Sequence, residues 1–185
     1  MPFRREPTSL PGVEAWIPDV HPDARGEFRE LFNPDRLSSC GFDLAIAQVN
    51  FSRSIPGVLR GLHYQLRHPQ AKLIAVVRGA IFDVAVDLRR GSPTFGQWTS
   101  RILSAENHAQ MFVPEGFAHG FCAIGNVEAD VVYLCSRPYA PSDEYGIRWN
   151  DPTLDISWPV PSPILSARDR DLPLLTEVPP DHMPA

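Results

Sequence analysis

The sequence has few cysteines, and they are spaced too widely to suggest a disulfide framework. The three, Cys40, Cys122 and Cys135, are odd in number, and no CxxC pair occurs among them. A disulfide-stabilised scaffold and a cysteine-based zinc site are therefore not expected. We predict buried, reduced thiols and a cytoplasmic location.

Long apolar runs and an excess of positive charge are also missing. No run approaches the ~20 apolar residues of a membrane span, and the first residues lack the apolar core of a signal peptide. The formal net charge is −5, so the chain has no basic footprint for nucleic acid. We expect a soluble protein with neither membrane nor nucleic acid as a partner. Any anionic ligand would have to be met by locally placed Arg and Lys.

The sequence is rich in the turn-forming residues proline and glycine, which separate short apolar runs. It contains 20 Pro and 12 Gly, which favour many turns over long helices. In residues 80–88, Phe, Val and Leu side chains alternate with Asp and Ala, as in a strand with two different faces. Similar runs occupy residues 28–32, 45–51, 73–78, 98–103, 110–113, 120–124 and 130–135. This spacing predicts an all-β sandwich or barrel.

Helical signals are few. Asn33 followed by Pro34 is typical of the start of a short helix, and Ser166 with Asp169 matches a capping box for another. No linker divides the chain, so we predict one domain over residues 1–185. The proline-containing tail after Pro173 is expected to be extended or loosely ordered.

Two histidines lie in strand-like segments where they could face a cavity. Alternation along residues 59–64 places His63 on the face opposite Arg60 and Tyr64. An imidazole titrates near neutrality and suits proton abstraction, although for a single histidine a hydrogen-bonded core role is the favoured interpretation. His119, after a Pro-Glu-Gly turn, could contact an anionic group or an enolate, or could be structural.

Other polar groups could complete such a site. Tyr133 shares a predicted face with Cys135, and a phenol placed opposite a base can act as a general acid. Asp83 and Asp169 are candidate carboxylates for orienting an imidazole, and Asp169 could instead serve only its helix cap. The cations Arg25, Arg60, Lys72 and Arg168 could converge on a pyrophosphate or could lie on a solvated surface.

Ordered together, these segments resemble the dTDP-4-dehydrorhamnose 3,5-epimerase family. The similarity runs from about residue 13 to 173 and rests on the combination of blocks in the family's order. The matching blocks are residues 23–32, 48–52, 57–65, Lys72, 83–96, 113–121, 133–144, 149–152, 158–159 and 165–169.

The resemblance implies a double-stranded β-helix, that is, a cupin-type jelly roll, with a few short helices mainly near the C-terminus. It also implies a homodimer without metal or other cofactor, in which an N-terminal strand is exchanged and lines the partner's site. The substrate implied is a dTDP-linked 4-keto-6-deoxy sugar, epimerised at C3 and C5.

Residue roles follow from the same resemblance. His63 resembles the catalytic base, Asp169 its orienting carboxylate and Tyr133 the general acid. Lys72 resembles the group that steadies the enolate, with His119 close to the sugar. The substrate-binding residues implied are Arg25, Glu30, Gln48, Asn50, Arg60, Tyr139, Glu144 and Arg168, among which Arg60 would clamp the pyrophosphate and Tyr139 would stack on thymine.

The sequence departs from the family's pattern at two points. Pro138 stands where the family often has a second tyrosine, and Arg168 where it commonly has Lys. Arg keeps the charge, but its planar fork is not equivalent to an ammonium. Both changes concern the nucleotide contacts.

Three other functions stay open. An epimerase acting at C3 or C5 alone would use the same base and acid. A metal-dependent cupin oxygenase is disfavoured, because His63 is followed by Tyr64 and Gln65 and no HxH pair occurs. A non-catalytic sugar-nucleotide binding module is disfavoured because it would not need both an acid and a base.

Overall fold

The computed structural model describes residues 3–39 and 44–185. Cys40 lies outside the described residues, so the prediction of a reduced, buried thiol is met only at Cys122 and Cys135. The strands are β1 Phe3–Pro7, β2 Glu14–Pro18, β3 Val20–Asp23, β4 Gly26–Arg29, β5 Gln48–Ser54, β6 Leu59–Gln65, β7 Lys72–Arg78, β8 Ala80–Asp87, β9 Trp98–Ser104, β10 Gln110–Val113, β11 Phe117–Ile124, β12 Ala129–Cys135 and β13 Glu144–Gly146. The α-helices are α1 Pro34–Ser39 and α2 Ala167–Arg170, and short 3₁₀ helices span Pro141–Asp143, Leu175–Glu177 and Pro180–His182.

Two antiparallel sheets face each other and form the jelly roll. The first has six strands in the order β1-β2-β10-β7-β12-β5, and the second has five in the order β13-β6-β11-β8-β9. Neighbours in these sheets are mostly distant in sequence, as when β12 pairs with both β5 and β7. The predicted all-β class with a few short helices is confirmed.

The main apolar core fills the space between the sheets. It draws Ile74 and Val76 from β7 of the first sheet and Ile81 and Phe121 from β8 and β11 of the second. All four are at most 2% exposed, so this layer is sealed from water. Burial of this kind stabilises by about 25 cal/mol per Å² of apolar surface, and it holds the two sheets at a fixed separation.

Strand β8 shows the two-faced alternation that its sequence predicts. Val84 and Val86, together with Leu88 directly after the strand, point away from the main core and pack in a second apolar cluster with Leu175 and Val178 of the C-terminal segment. Asp83 on the opposite face is fully buried and points between the sheets. The strand is therefore covered on both sides.

The C-terminal tail, which the sequence predicts to be extended or loosely ordered, makes contacts with the rest of the domain. The Tyr64 hydroxyl donates to the His182 carbonyl at 2.8 Å, and the Arg90 amide donates to the Pro184 carbonyl at 3.1 Å. Leu175 is 5% exposed. The tail packs here because the outer face of the second sheet is apolar and is buried by it. The proline content of the tail gives no sign of this packing.

Both predicted helix starts are confirmed. The Asn33 side chain accepts from the Arg36 amide at 3.2 Å at the start of α1, and the Ser166 hydroxyl accepts from the Asp169 amide at 3.0 Å at the start of α2.

Among the described residues, no helix combines the length and apolar character that a membrane crossing requires.

A two-stranded hairpin made of β3 and β4 stands apart from both sheets. Arg29 anchors its base, since its guanidinium lies 2.7 Å from Nδ1 of His108. Its outer part is largely solvent-exposed, including Phe28 at 66%. The predicted strand at residues 28–32 is thus shifted, and it belongs to a projecting hairpin instead of a core strand.

Candidate functional site

One cavity of about 370 Å³ opens between the two sheets. Its size and its mixture of aromatic and charged walls suit a small-molecule ligand. The predicted site residues that line it are Asn50, Arg60, His63, Lys72, His119, Tyr133, Tyr139, Glu144, Arg168 and Asp169. Strands of both sheets and helix α2 therefore bring residues from most of the chain's length to one place.

His63 is held by a carboxylate. Its Nε2 lies 2.6 Å from Oδ1 of Asp169, whose position is set by the cap of α2. Burial would raise the pKa of Asp169, but the hydrogen bonds from His63 and Ser166 outweigh it and hold that pKa below its usual value. The carboxylate therefore stays ionised at neutral pH and can keep a proton on Nε2, which leaves Nδ1 to act as a base.

The second nitrogen of His63 faces the cavity side that carries Glu144. Nδ1 lies 3.9 Å from Oε1 of Glu144, too far for a hydrogen bond, and His63 keeps 24% of its side chain accessible. A substrate atom can thus approach this nitrogen.

Tyr133 projects into the same cavity from the first sheet. Its hydroxyl lies 2.8 Å from Oγ of Ser52 on the neighbouring strand β5, and its ring packs edge-on against His119 with centroids 6.4 Å apart. Burial raises the pKa of Tyr133 above its usual value. The phenol therefore keeps its proton at neutral pH, as a general acid must.

A cation and a second His–Asp pair lie at the base of the cavity. Nε2 of His119 is 2.8 Å from Oδ1 of Asp83, which is fully buried. Burial raises the pKa of Asp83 and lowers the pKa of the Lys72 ammonium, while each charge partly offsets the other's shift. Asp83 thus orients His119, and Asp169 orients His63, so both carboxylates suggested by the sequence pair with an imidazole.

The outer end of the cavity is built around Glu144. The Tyr139 hydroxyl donates to Oε2 of Glu144 at 2.5 Å, and the Arg168 guanidinium also donates to this carboxylate. Gln48 does not line the cavity, but its Oε1 accepts from the Tyr139 amide at 2.8 Å. These contacts fix an exposed aromatic ring and a cation beside each other at the mouth.

Arg60 and His63 lie on the same wall, contrary to the strict alternation predicted for β6. His63 pairs with His119 and Arg60 with Phe121, so two residues of β6 oppose the single Gly120 of β11. This β-bulge shifts the side-chain alternation by one residue. A Cβ on Gly120 would lie 2.7 Å from the Arg60 carbonyl, which explains why glycine is required there.

Arg25 and Glu30 do not reach this cavity within the chain. Arg25 lies at the tip of the β3–β4 hairpin, where it pairs with Asp23 at 2.5 Å and its side chain is 90% exposed. Glu30 is paired with Arg36 next to α1. The resemblance to the family implied that both are substrate contacts, and neither lines the cavity of its own chain.

Several cavity residues were not predicted from the sequence to belong to the site. They are Phe51, Ser52, Tyr64, Gln65, Gln70, Phe121, Cys135 and Ser166. Ser52 is the most informative of them because it contacts the Tyr133 hydroxyl directly. Period-two alternation from Gln48 through Asn50 to Ser52 was the signal that could have found it.

No three His, Cys, Asp or Glu side chains converge as a metal-binding group within residues 3–39 and 44–185. The prediction that the protein works without metal stays a prediction, which metal analysis of the purified protein can test.

Comparison with known protein families matches most of the chain to one family model. The model described as dTDP-4-dehydrorhamnose 3,5-epimerase matches residues 7–177. The chain belongs to the dTDP-4-dehydrorhamnose 3,5-epimerase family. This is a family of isomerases, and the resemblance drawn from the sequence blocks is confirmed.

Relatives and solved structures of this family are similar over most of the chain. A dTDP-4-dehydrorhamnose 3,5-epimerase of Methanothermobacter thermautotrophicus is 47% identical over 96% of this chain and 97% of that protein. One from Neisseria gonorrhoeae is 49% identical over 88% of this chain, which spans only 49% of that protein.

Two solved structures that contain different sugar nucleotides are similar to this chain. A dTDP-6-deoxy-D-glucose-3,5-epimerase from Legionella pneumophila, in complex with dTDP-4-keto-L-rhamnose, has a TM-score of 0.95 and 42% identity, covering 98% of this chain and 97% of its own. A 3'-monoepimerase from Streptomyces bikiniensis, in complex with dTDP-quinovose, has a TM-score of 0.85 and 40% identity, covering 92% and 87%.

Proposed function

We propose that the protein converts dTDP-4-keto-6-deoxy-D-glucose to dTDP-4-keto-L-rhamnose by inverting C3 and C5. The observation that carries this proposal is the convergence of an Asp169-held imidazole, a protonated phenol and an ammonium on one cavity. A protein that only binds a sugar nucleotide would not need a base, an acid and a cation in the same cavity. The names and bound sugar nucleotides of the family members support the choice of substrate.

The chemistry begins with a proton made acidic by the C4 ketone. Nδ1 of His63 removes a proton from C3 or C5, because Nε2 is committed to Asp169. The electron pair of the broken C–H bond moves into the ketone and gives an enolate. Lys72, with His119 beside it, stabilises the negative enolate oxygen, and preorganised charge of this kind is often the largest catalytic effect.

Inversion requires the new proton to arrive on the opposite face. Tyr133 donates its phenolic proton to the enolate carbon, the C–H bond re-forms and a phenolate remains. The imidazolium then returns its proton to solvent and the phenolate takes one up, so the proton balance closes. A second cycle at the other carbon gives the double epimer.

The mouth of the cavity suits the nucleotide. The exposed ring of Tyr139, fixed by Gln48 and Glu144, offers a stacking surface for thymine. Arg60 offers a bidentate fork for the pyrophosphate. Its guanidinium also donates to the Ser54 hydroxyl and to the Arg53 carbonyl, which hold it at the cavity. Arg168 lies at the same mouth and retains the charge of the lysine more common in the family.

We further propose that the protein is a homodimer in which the β3–β4 hairpin serves the partner's site. Arg25 and Glu30 lie away from their own cavity, and the hairpin carries an exposed Phe28. Strand β5 is an edge strand on which Val49 and Phe51 are 62% and 60% exposed, and Phe51 also borders the cavity. An apolar sheet edge of this kind is usually covered in soluble proteins.

A mono-epimerase is the second candidate, because the 3'-monoepimerase structure is similar to this chain at a TM-score of 0.85. The decisive experiment incubates the protein with dTDP-4-keto-6-deoxyglucose in D₂O and follows the sugar protons by NMR. Deuterium with inversion at C3 and C5 supports the double epimerase. Inversion at one carbon alone supports the mono-epimerase, and no exchange by folded protein overturns both.

A further inference from the structure

Ser52 makes the one hydrogen bond recorded for the Tyr133 hydroxyl within the described residues. Its Oγ lies 2.8 Å from Tyr133 Oη, and either oxygen can be the donor. Ser52 pairs with Val131 on β12, so it reaches Tyr133 diagonally across the two strands. Both side chains line the cavity.

The direction of this hydrogen bond decides whether Tyr133 can act as an acid. A phenol carries a single proton, and a proton donated to Ser52 is not aimed at the substrate carbon. Tyr133 is free to deliver its proton only when Ser52 Oγ–H donates and Tyr133 Oη accepts. We propose that Ser52 is the positioning residue of the general acid, holding Tyr133 Oη by donating a hydrogen bond and stabilising the phenolate that forms after proton transfer.

This proposal rests on the proposed epimerase function, and the surroundings of Tyr133 explain why the donor is needed. Burial disfavours the phenolate, and the negative charge of Asp83 disfavours it further by raising the pKa. The Ser52 hydroxyl and the Arg60 guanidinium oppose these effects and lower that pKa. Since Arg60 is also expected to hold pyrophosphate, Ser52 is the neutral donor left for the phenolate.

The proton transfer from Tyr133 to the enolate carbon needs no additional reactant. The Tyr133 O–H bond breaks as the C–H bond forms, and the electron pair of that O–H bond stays on the phenolate oxygen. Ser52 keeps its own proton throughout and strengthens its hydrogen bond as Oη becomes negative. Hydrogen bonds to charged groups are stronger than neutral ones, so the contact favours the state after transfer.

The test compares Ser52→Thr with Ser52→Val. Threonine and valine have nearly the same shape and both favour strands, but only threonine keeps the hydroxyl donor. Ser52→Ala is a second variant without the donor, and Ser100→Ala on β9, away from the cavity, controls for loss of a strand hydroxyl. Thermal unfolding establishes that each variant is folded.

We expect Ser52→Val and Ser52→Ala to lower kcat by about 10- to 100-fold, the effect of losing a hydrogen bond to a developing charge. KM should change little, and Ser52→Thr should recover most of the rate. Adding Ser52→Val to Tyr133→Phe should cause little further loss, since the donor would no longer have a partner.

Deuterium wash-in gives a measurement that a merely structural role would not change. Without Ser52, His63 still removes the proton, but delivery from the opposite face slows. Sugar recovered without inversion should therefore gain deuterium relative to inverted product. Equal kcat and equal partitioning in Ser52→Val, Ser52→Thr and wild type would overturn the role of Ser52. Absence of exchange in the wild type would instead overturn the epimerase function itself.

Discussion

Nε2 of His63 lies 2.6 Å from Oδ1 of Asp169, although 106 residues separate the two in the chain. The contact selects one tautomer of the imidazole and directs Nδ1 at the cavity. Asp169→Asn should lower kcat by at least ~10²-fold, because an amide cannot stabilise the imidazolium that forms during proton abstraction. Steady-state kinetics with dTDP-4-keto-6-deoxyglucose measures this. An Asp169→Asn enzyme with normal kcat would show that the pair is only structural.

Removing the base and removing the acid should have different isotopic consequences. His63→Ala and Tyr133→Phe should each lower turnover by ~10²- to 10⁴-fold while leaving dTDP affinity within a few-fold of wild type. In D₂O, Tyr133→Phe should still exchange substrate hydrogens, whereas His63→Ala should not. NMR measures the turnover and the isotope exchange, and calorimetric titration measures the affinity for dTDP. Near-normal turnover by either variant would rule out the role assigned to that residue.

The activity should fall at alkaline pH as Lys72 loses its proton. Burial lowers the pKa of this ammonium below its ordinary value of 10.5, so the charge that stabilises the enolate disappears as the pH rises through that lowered value. Tyr133 does not account for this limb, because burial raises its pKa above 10.0. Lys72→Arg should move the alkaline limb of kcat to higher pH. An unmoved limb would assign the titration to another group.

Mixing two inactive variants tests whether the hairpin serves the partner. Arg25→Ala and His63→Ala homodimers should each be impaired. After subunit exchange, a heterodimer of the two has one site with both Arg25 and His63 intact, so about a quarter of wild-type sites should be restored at random pairing. Rates measured before and after mixing check this. No recovery, with exchange verified by sedimentation or mass spectrometry, would mean that Arg25 does not act across an interface.

Asp87 should contribute to stability in a pH-dependent way. Burial raises its pKa, but hydrogen bonds from Arg89, Ser92 and Thr94 outweigh burial and hold it well below 3.8. The folded state therefore gains stability from ionised Asp87 above pH 3.8 and loses it as the pH falls through the lower folded value.

Asp87→Asn should accordingly lower the free energy of unfolding by about 2–3 kcal/mol at pH 7. The difference from wild type should shrink below pH 3.8. Urea unfolding at pH 7 and again below pH 3.8 measures the free energy of unfolding of the variant and of wild type. The control is Asp19→Asn at an exposed position, which should change that free energy little. An Asp87→Asn difference that does not vary with pH would remove ionisation as its cause.

Local sequence patterns were sufficient to predict those structural features that depend on residues close together in the chain. The two faces of β8 follow from alternation of large apolar residues with Asp83 and Ala85, and the starts of α1 and α2 follow from Asn33 and Ser166. Each depends on contacts within a few residues, so the linear order already contains the information. The ordered blocks of the family added the fold and the substrate class that we propose.

Other features arise only when distant strands meet. The bulge that places Arg60 beside His63 depends on how β6 pairs with β11, and the order of the tail depends on an apolar sheet face that has to be covered. Ser52 reaches the Tyr133 hydroxyl because β5 and β12, far apart in sequence, are adjacent in the sheet. Alternation assigns a side chain to a face, but register, bulges and the closing of the two sheets decide which side chains share a cavity, since these are set by packing over the whole domain.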